Sequence, residues 1–403
     1  MSSRLREIKL RRGAHRAPAA LERLPSFIPP RRDAAPILRQ LGGVVVGCGR
    51  IGRDVALHLA RTGIGHLTLV DPKEFKPQSL ATHSIPVSAL RQGKAMFTAR
   101  QCKDLNPLAR VVAHTGFVEE LPLRVLAGAD FCVLATDNLA AEVFVGQRCL
   151  LLGVPLWQAS VHGDTLVAQV RHFRNNHDDG PCPRCLFGRV EVEQLNRSVT
   201  FSCDGSSSGS ATRRVAEAPT MSVSSLCGLA ASLVHLEMLR SFLGLGCPAA
   251  DGLTEFCAYT RRSVTAPLRR DPQCPCDHTR MARWEAPWAL RQCTLQDLAE
   301  AAGFTPSSFV VGDFVWAQPP GCDCPDPQSP GRFLRTDVND PSRCARCRAP
   351  LVARPFFSHR TVPVQLLGAA LRQPLTRLGA GRAGWVVARD PQQAALFLDA
   401  NTQ

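Results

Sequence analysis

The sequence predicts an α/β fold: a mainly parallel sheet with helices on both faces, followed by a small zinc-containing C-terminal module. Three observations lead there. Short apolar runs alternate with helical patterns from Leu41 onward. A Gly47-x-Gly49-x-x-Gly52 turn lies between the first apolar run and the first helical pattern. Two paired sets of closely spaced cysteines occur later in the chain.

The stretch from 44 to 71, VVVGCGRIGRDVALHLARTGIGHLTLVD, reads as strand, turn, helix and strand. In such a turn the first glycine allows the tight bend, the second lets a phosphate approach the backbone, and the third lets helix pack on strand. Asp71 closes the second strand, 19 residues beyond Gly52, where a carboxylate can accept a ribose hydroxyl. The next segment, PKEFKPQSLATHSIPVS, reads as a loop because of its prolines. A helix follows from about Lys94 to Leu105 and stops at Asn106-Pro107. RVVAHTGF, FCVLATDN, PLWQASVHG and TLVAQVRHF read as strands, with a helix over 140–152. Ligands bind beyond the carboxyl ends of parallel strands, which puts Gly47, Asp71 and Asp137 on one edge. A helix over 222–243 carries Leu226, Leu229, Leu233 and Leu236 on the face expected to pack. A strand pair from about Leu253 to Leu268 leads to the second cysteine knuckle, and TLQDLAEAAG reads as a short capped helix.

Composition sets the outer limits. The chain has 403 residues, 45% of them hydrophobic, enough for one large domain and a smaller one. The net charge is +14, and residues 1–40 hold ten Lys or Arg against three Asp or Glu. This basic N-terminal arm, partly disordered, offers itself to acidic partners or phosphates without a pattern for specific nucleic-acid binding. No apolar stretch follows the first basic residues, and the most apolar helix carries His235, Glu237 and Arg240, so a soluble cytoplasmic protein without a membrane span is expected. The expected divisions are the arm at 1–40, a nucleotide-binding domain at 41–283 and a C-terminal module at 284–403.

The chain holds 17 cysteines, too long a chain and too intracellular a pattern for a disulfide scaffold. Cys182-x-x-Cys185 with Cys274-x-Cys276 forms a candidate four-sulfur zinc site, with His278 as a substitute ligand. Cys322-x-Cys324 with Cys344-x-x-Cys347 forms a second, with 19 residues between its knuckles. Both are expected to be closed and structural, since four protein ligands leave no place for a reactive water.

With the glycine turn, Asp71, Lys94, the TDN motif ending the FCVLATDN strand and the first two knuckles in family order, residues 41–277 resemble the ThiF/MoeB/HesA superfamily of ubiquitin-activating-type adenylyltransferases. The resemblance implies a Rossmann-like domain that binds ATP with Mg²⁺ and adenylates the C-terminal carboxylate of a ubiquitin-like or sulfur-carrier protein ending in Gly-Gly. It further implies a homodimer. Gly47, Gly49 and Gly52 would cradle the phosphates, Asp71 would hold the ribose, Lys94 would contact the phosphates and Asp137 would hold Mg²⁺. Ordinary structural roles for the last two are a solvated helix-start lysine and a helix N-cap. Cys203, in FSC, matches the place where some members carry a cysteine that takes a thioester or persulfide link.

One departure stands out. The family's SNLxRQ-like loop, which supplies an asparagine and an arginine to ATP, reads QSLATHS, with Ser79 and Thr82 at those two places. Arg50, Arg53 and arginines of the arm (Arg11, Arg12, Arg16) are the candidates to compensate. Alternatives are a catalytically degenerate scaffold and a nicotinamide-dependent oxidoreductase; the latter explains the glycine turn and Asp71 but not the cysteines or the TDN motif.

Overall fold

A computed structural model describes residues 5–9, 34–176, 180–197, 223–245, 251–279, 281–318, 331–335, 347–349, 351 and 358–399. The chain divides into two compact units. The larger takes in Met1–Leu121, Val125–Arg189 and Glu217–Arg280; the smaller takes in Pro122–Arg124, Val190–Ala216 and Met281–Gln403.

The larger unit is built on one nine-stranded sheet: β1 (Leu5–Glu7), β2 (Gly42–Val46), β3 (His66–Val70), β4 (Arg110–His114), β5 (Phe131–Leu134), β6 (Leu156–His162), β7 (Val167–Phe173), β8 (Gly252–Cys257) and β9 (Arg262–Pro267). Their spatial order is β1-β4-β3-β2-β5-β6-β7-β8-β9. The five central strands, β4-β3-β2-β5-β6, run parallel, and the strands outside them pair antiparallel. Register places Val46 beside both Val70 and Leu134, so the chain leaves β2, β3 and β5 side by side on one edge. The central strands are nearly continuous apolar runs, as strands covered on both faces must be.

Five longer helices belong to this unit: α1 (Ala34–Gln40), α2 (Arg50–Arg61), α3 (Lys94–Leu105), α4 (Leu139–Leu152) and α5 (Ser224–Leu243). Helix α2 packs against α3 and α5, and its buried Val55, Leu59 and Ala60 join Leu67, Val133 and Trp157 of the sheet in the main core. Helix α5 is long and apolar enough to cross a membrane by length alone, but half of it is buried against α2, β6 and β7. Its packed face is Leu226, Cys227, Ala230, Ala231, Val234, Met238 and Leu239; Leu236, expected on that face, is 56% exposed. Leu226 is buried and Leu229 and Leu233 pack partly buried against the core, so the leucine spacing marks the packed face at three positions and fails at Leu236. The segment 72–88, expected as a loop, contains one helical turn, Ser79–Thr82, whose entry is fixed by the Lys76 amide donating to Ser79 Oγ at 3.1 Å. The basic arm is described at residues 5–9 and 34–40 alone, as an edge strand with its flanking residues and the whole of α1.

The smaller unit holds a five-stranded sheet in the order β10-β17-β16-β11-β15 and a three-stranded one in the order β13-β12-β14. Its strands are β10 (Ala282–Trp284), β11 (Ser308–Val311), β12 (Phe314–Ala317), β13 (Arg332–Arg335), β14 (Ser358–His359), β15 (Val362–Pro363), β16 (Trp385–Arg389) and β17 (Ala394–Leu398). Helix α6 (Leu295–Ala302) is the capped helix the sequence predicts: Thr294 Oγ1 accepts from the Asp297 amide, Asp297 accepts from the Thr294 amide, and Gly303 ends it.

Candidate functional site

The glycine turn joins β2 to α2 with the geometry its spacing predicts. Gly47 has φ +89°, and a Cβ there would lie 2.4 Å from the Ala135 carbonyl oxygen. At Gly52 a Cβ would meet the Gly47 carbonyl oxygen at 1.9 Å, so the helix can approach the turn only with glycine. Gly49, by contrast, faces open space, with the His83 ring as its one neighbour at 3.6 Å. It is the N-cap of α2; no side chain caps that helix, and its first turn holds no acidic residue. Uncapped amides at a helix N-terminus favour an anion.

Asp71 sits beside this turn at the end of β3. Its Oδ2 accepts from the Cys48 amide and its Oδ1 from the Lys73 amide, both at 2.8 Å. Burial pushes its carboxyl up, opposed by the Lys94 ammonium and the two amides. Each oxygen keeps a further lone pair that could accept a hydroxyl. Lys94 opens α3 and points its Nζ at His83 Nε2, 3.4 Å away, with the buried Phe75 ring 5.8 Å from the ammonium. Asp137 leaves β5 on the same edge, exposed; Asn138 caps α4, its Oδ1 accepting from the Ala140 and Ala141 amides. The N-cap role weighed for Asp137 thus belongs to its neighbour.

Of the arginines considered as substitutes for the family's loop arginine, Arg50 and Arg53 are already engaged, and Arg11, Arg12 and Arg16 lie outside the described residues. Arg53 is buried, with Nε donating to Gln101 Oε1 at 2.9 Å and Nη1 to the His83 carbonyl at 2.7 Å. Arg50 pairs with Asp54 and donates from Nε to Ser224 Oγ at 2.9 Å. Both brace the segment around residues 83–84 rather than reach across the turn, since Ser84 Oγ itself bonds Ser224 Oγ. Sequence reasoning overlooked His83. Its signal was its position next to Thr82 in the altered loop, and only folding shows that it reaches both Gly49 and Lys94.

A second cluster lies beyond the other end of the chain's path through the sheet. The ligand atoms of Cys182, Cys185, Cys274 and His278 all fall within 4.8 Å of one another and could hold a metal ion. Cys182 Sγ is 3.8 Å from Cys185 Sγ, Cys274 Sγ and His278 Nε2, and Cys185 Sγ is 3.6 Å from His278 Nε2. A tetrahedral ion bonded to sulfur at about 2.3 Å and nitrogen at about 2.1 Å sets edges of about 3.8 and 3.6 Å. His278 Nδ1 donates to the Gly180 carbonyl at 2.7 Å, leaving Nε2 bare as a ligand. Hydrogen bonding from Cys182 holds the Cys185 thiol down to about 5, while contacts with Cys185 and Cys276, then burial, push Cys182 up.

Cys276, expected as the fourth ligand, is buried next to this group, and its Sγ accepts from Gln147 Nε2 at 3.3 Å. The Cys-x-Cys spacing is one residue shorter than a two-residue knuckle, and His278 completes the group. Pro183 presses on α4 where a Cβ at Gly146 would come within 2.6 Å of it, which seats the first knuckle. Cys203, Cys322, Cys324 and Cys344 lie outside the described residues; Cys347 is exposed.

The ThiF family matches residues 31–276, more than half of the chain. The sulfur carrier protein adenylyltransferase of Thermus thermophilus is 29% identical over 241 residues, covering 59% of this chain and 82% of that protein. The mouse adenylyltransferase and sulfurtransferase MOCS3 is 33% identical over 164 residues, 40% of this chain but only 34% of its own length. Among solved structures, Escherichia coli MccB with ATP aligns at 16% identity and a TM-score of 0.48, over 60% of this chain and 68% of that one. The extent of the family match, with the glycine turn, Asp71 and Lys94 gathered at one sheet edge within it, places the chain in the ThiF family.

Proposed function

We propose that the chain adenylates the C-terminal carboxylate of a ubiquitin-like or sulfur-carrier protein ending in Gly-Gly, using ATP and Mg²⁺. The observation that carries this reading is the uncapped N-terminus of α2 at the glycine turn, flanked by Asp71 and Lys94 in a ThiF-family chain. The name of the Thermus relative, a sulfur carrier protein adenylyltransferase, supports this substrate class.

A carboxylate oxygen attacks the α-phosphorus, pyrophosphate leaves, and an acyl adenylate results. Both reactants are anions, so positioning and charge neutralisation supply the catalysis. The α2 amides and Lys94 face the phosphates, with Gly49 allowing the close approach, and Asp71 accepts a ribose hydroxyl through its remaining lone pairs. Asp137 would hold Mg²⁺, which screens phosphate charge when bound. Cys182, Cys185, Cys274 and His278 would hold Zn²⁺ as a closed structural site. The second cysteine set and the 284–403 module stay with the reading as a further zinc site and a partner-binding part. Attack of the Cys203 thiolate on the adenylate, with AMP leaving, would give a thioester. A homodimer working in the cytoplasm fits the reading.

The test is ATP–pyrophosphate exchange in the presence of Gly-Gly-ended carriers, with mass spectrometry for an adduct on Cys203. Exchange that depends on carrier and falls at least 100-fold in Asp137→Ala supports the reading. A second reading, a degenerate scaffold, is favoured by the engagement of Arg50 and Arg53 and by Ser79 and Thr82 in the loop. ATP binding without exchange for any carrier selects it.

A further inference from the structure

The altered loop after Asp71 is a built arrangement rather than a gap. We propose that Thr82, His83 and Lys94 form a positioning chain in which Thr82 sets the imidazole tautomer and His83 Nε2 holds the Lys94 ammonium at the glycine turn. This rests on the nucleotide reading above.

Donor counting fixes the protons. An ammonium has three donors and no acceptor, so the ring nitrogen 3.4 Å from Lys94 Nζ must present a lone pair. In a neutral imidazole the proton is then on Nδ1. The other side agrees independently: Thr82 Oγ1 donates to the Gln78 carbonyl at 3.3 Å, which leaves the hydroxyl oxygen to accept from His83 Nδ1–H at 2.7 Å. The ring is neutral because burial, then Lys94, Arg53 and Arg50, push its pKa down to about 4, against a smaller opposing pull from Asp137.

The surroundings lock this geometry. Phe75, 1% exposed, meets the His83 ring edge-on at 5.8 Å and lies under the Lys94 ammonium. Arg53 clamps the His83 carbonyl from beneath. His83 Nε2 is also the atom nearest to where a Cβ would stand on Gly49, so the pair lies at the open face of the turn. With Thr82 standing where the family's loop supplies an arginine, this chain orders the Lys94 ammonium and spares it the entropy of finding its place on each encounter. His83 acts through Lys94 and is a positioning residue.

Five variants test this through KM for ATP and kcat in carrier-dependent exchange, together with long-range ¹H–¹⁵N spectra of the imidazole. Lys94→Ala is the benchmark. His83→Phe keeps the ring volume but removes the acceptor, and we expect KM for ATP to rise about tenfold with kcat changed less than threefold. His83→Gln, which retains an acceptor, should stay within about threefold of the parent in both. The parent spectrum should show the Nδ1-protonated tautomer, retained in Thr82→Ser and lost in Thr82→Val. If Lys94→Ala leaves KM for ATP unchanged, the nucleotide reading of Lys94 fails. If Lys94→Ala weakens ATP while His83→Phe does not, or if His83→Gln is as impaired as His83→Phe, the positioning chain is overturned and the nucleotide reading stands.

Discussion

The glycine turn and the cysteine–histidine cluster are assembled in opposite ways. The turn draws its parts from adjacent parallel strands within a short length of chain, and backbone sterics fix it: Gly47 and Gly52 admit no side chain. The cluster joins residues 92 apart, Cys182 and Cys274, and side chains alone define it. A turn of the first kind is complete before its ligand arrives. A cluster of the second kind gathers thiols that repel one another once ionised, so a cation must supply the compensation.

That contrast sets the largest expected effect. Cys182→Ser should remove about one metal per chain and lower the thermal midpoint by on the order of 10 °C, measured by atomic emission and calorimetry, and chelation should lower it at least as far. His278→Ala should do the same, whereas Cys276→Ala should retain the metal. Equal loss in both would return Cys276 to the ligand set.

On the side of the turn, Gly52→Ala drives a methyl into the Gly47 carbonyl and should cost about 3 kcal/mol in urea unfolding. Gly49→Ala meets open space and should leave stability within about 1 kcal/mol, while ATP affinity falls more than tenfold by calorimetric titration. If both glycines cost the same stability, Gly49 is a structural residue and not the place a phosphate approaches.

These two regions also differ in how far the sequence announced them. The turn, Asp71, the α3 boundaries and the alternation of strands and helices follow from local patterns, because glycine sterics and apolar runs act over a few residues. The choice between Cys276 and His278 does not, since it depends on where a loop after β9 meets a knuckle after β7. His83 was hidden for a similar reason. Its role arises from Lys94 and Gly49, which lie on other elements, and its sequence context carried only a departure from a family loop. Leu236 shows the limit of periodicity: it keeps the leucine spacing of α5 and still faces outward, while Leu226, Leu229 and Leu233 pack.

Acid should sharpen the contrast from the helix that supports the turn. His235 of α5 is buried, stacks on His58 of α2 at 5.3 Å, and is pushed down to about 4 by burial and then by His58. Its unfolded value is about 6.5, so between these values the unfolded chain binds the extra proton. Stability is therefore intact above pH 6.5 and declines as pH falls towards 4, by about 2 kcal/mol for a site this buried. Urea titrations at several pH values should show the slope, and His235→Phe should flatten it. A slope unchanged in that variant assigns the loss to other groups, His172 and His83 first, since both are also pushed down to about 4.

The smallest effect separates two neighbours. Asn138 caps α4 through Oδ1, so Asn138→Ala should cost about 1 kcal/mol of stability. Asp137 is exposed and does not cap the helix, so Asp137→Ala should leave the unfolding midpoint within error and remove ATP turnover. Since α4 also carries Gly146 against Pro183, loosening its first turn by Asn138→Ala should leave the metal content unchanged, about two turns away from the knuckle. Loss of metal in that variant would mean that the two regions are coupled through α4, and the separation drawn between a turn fixed by sterics and a cluster fixed by its ion would no longer hold.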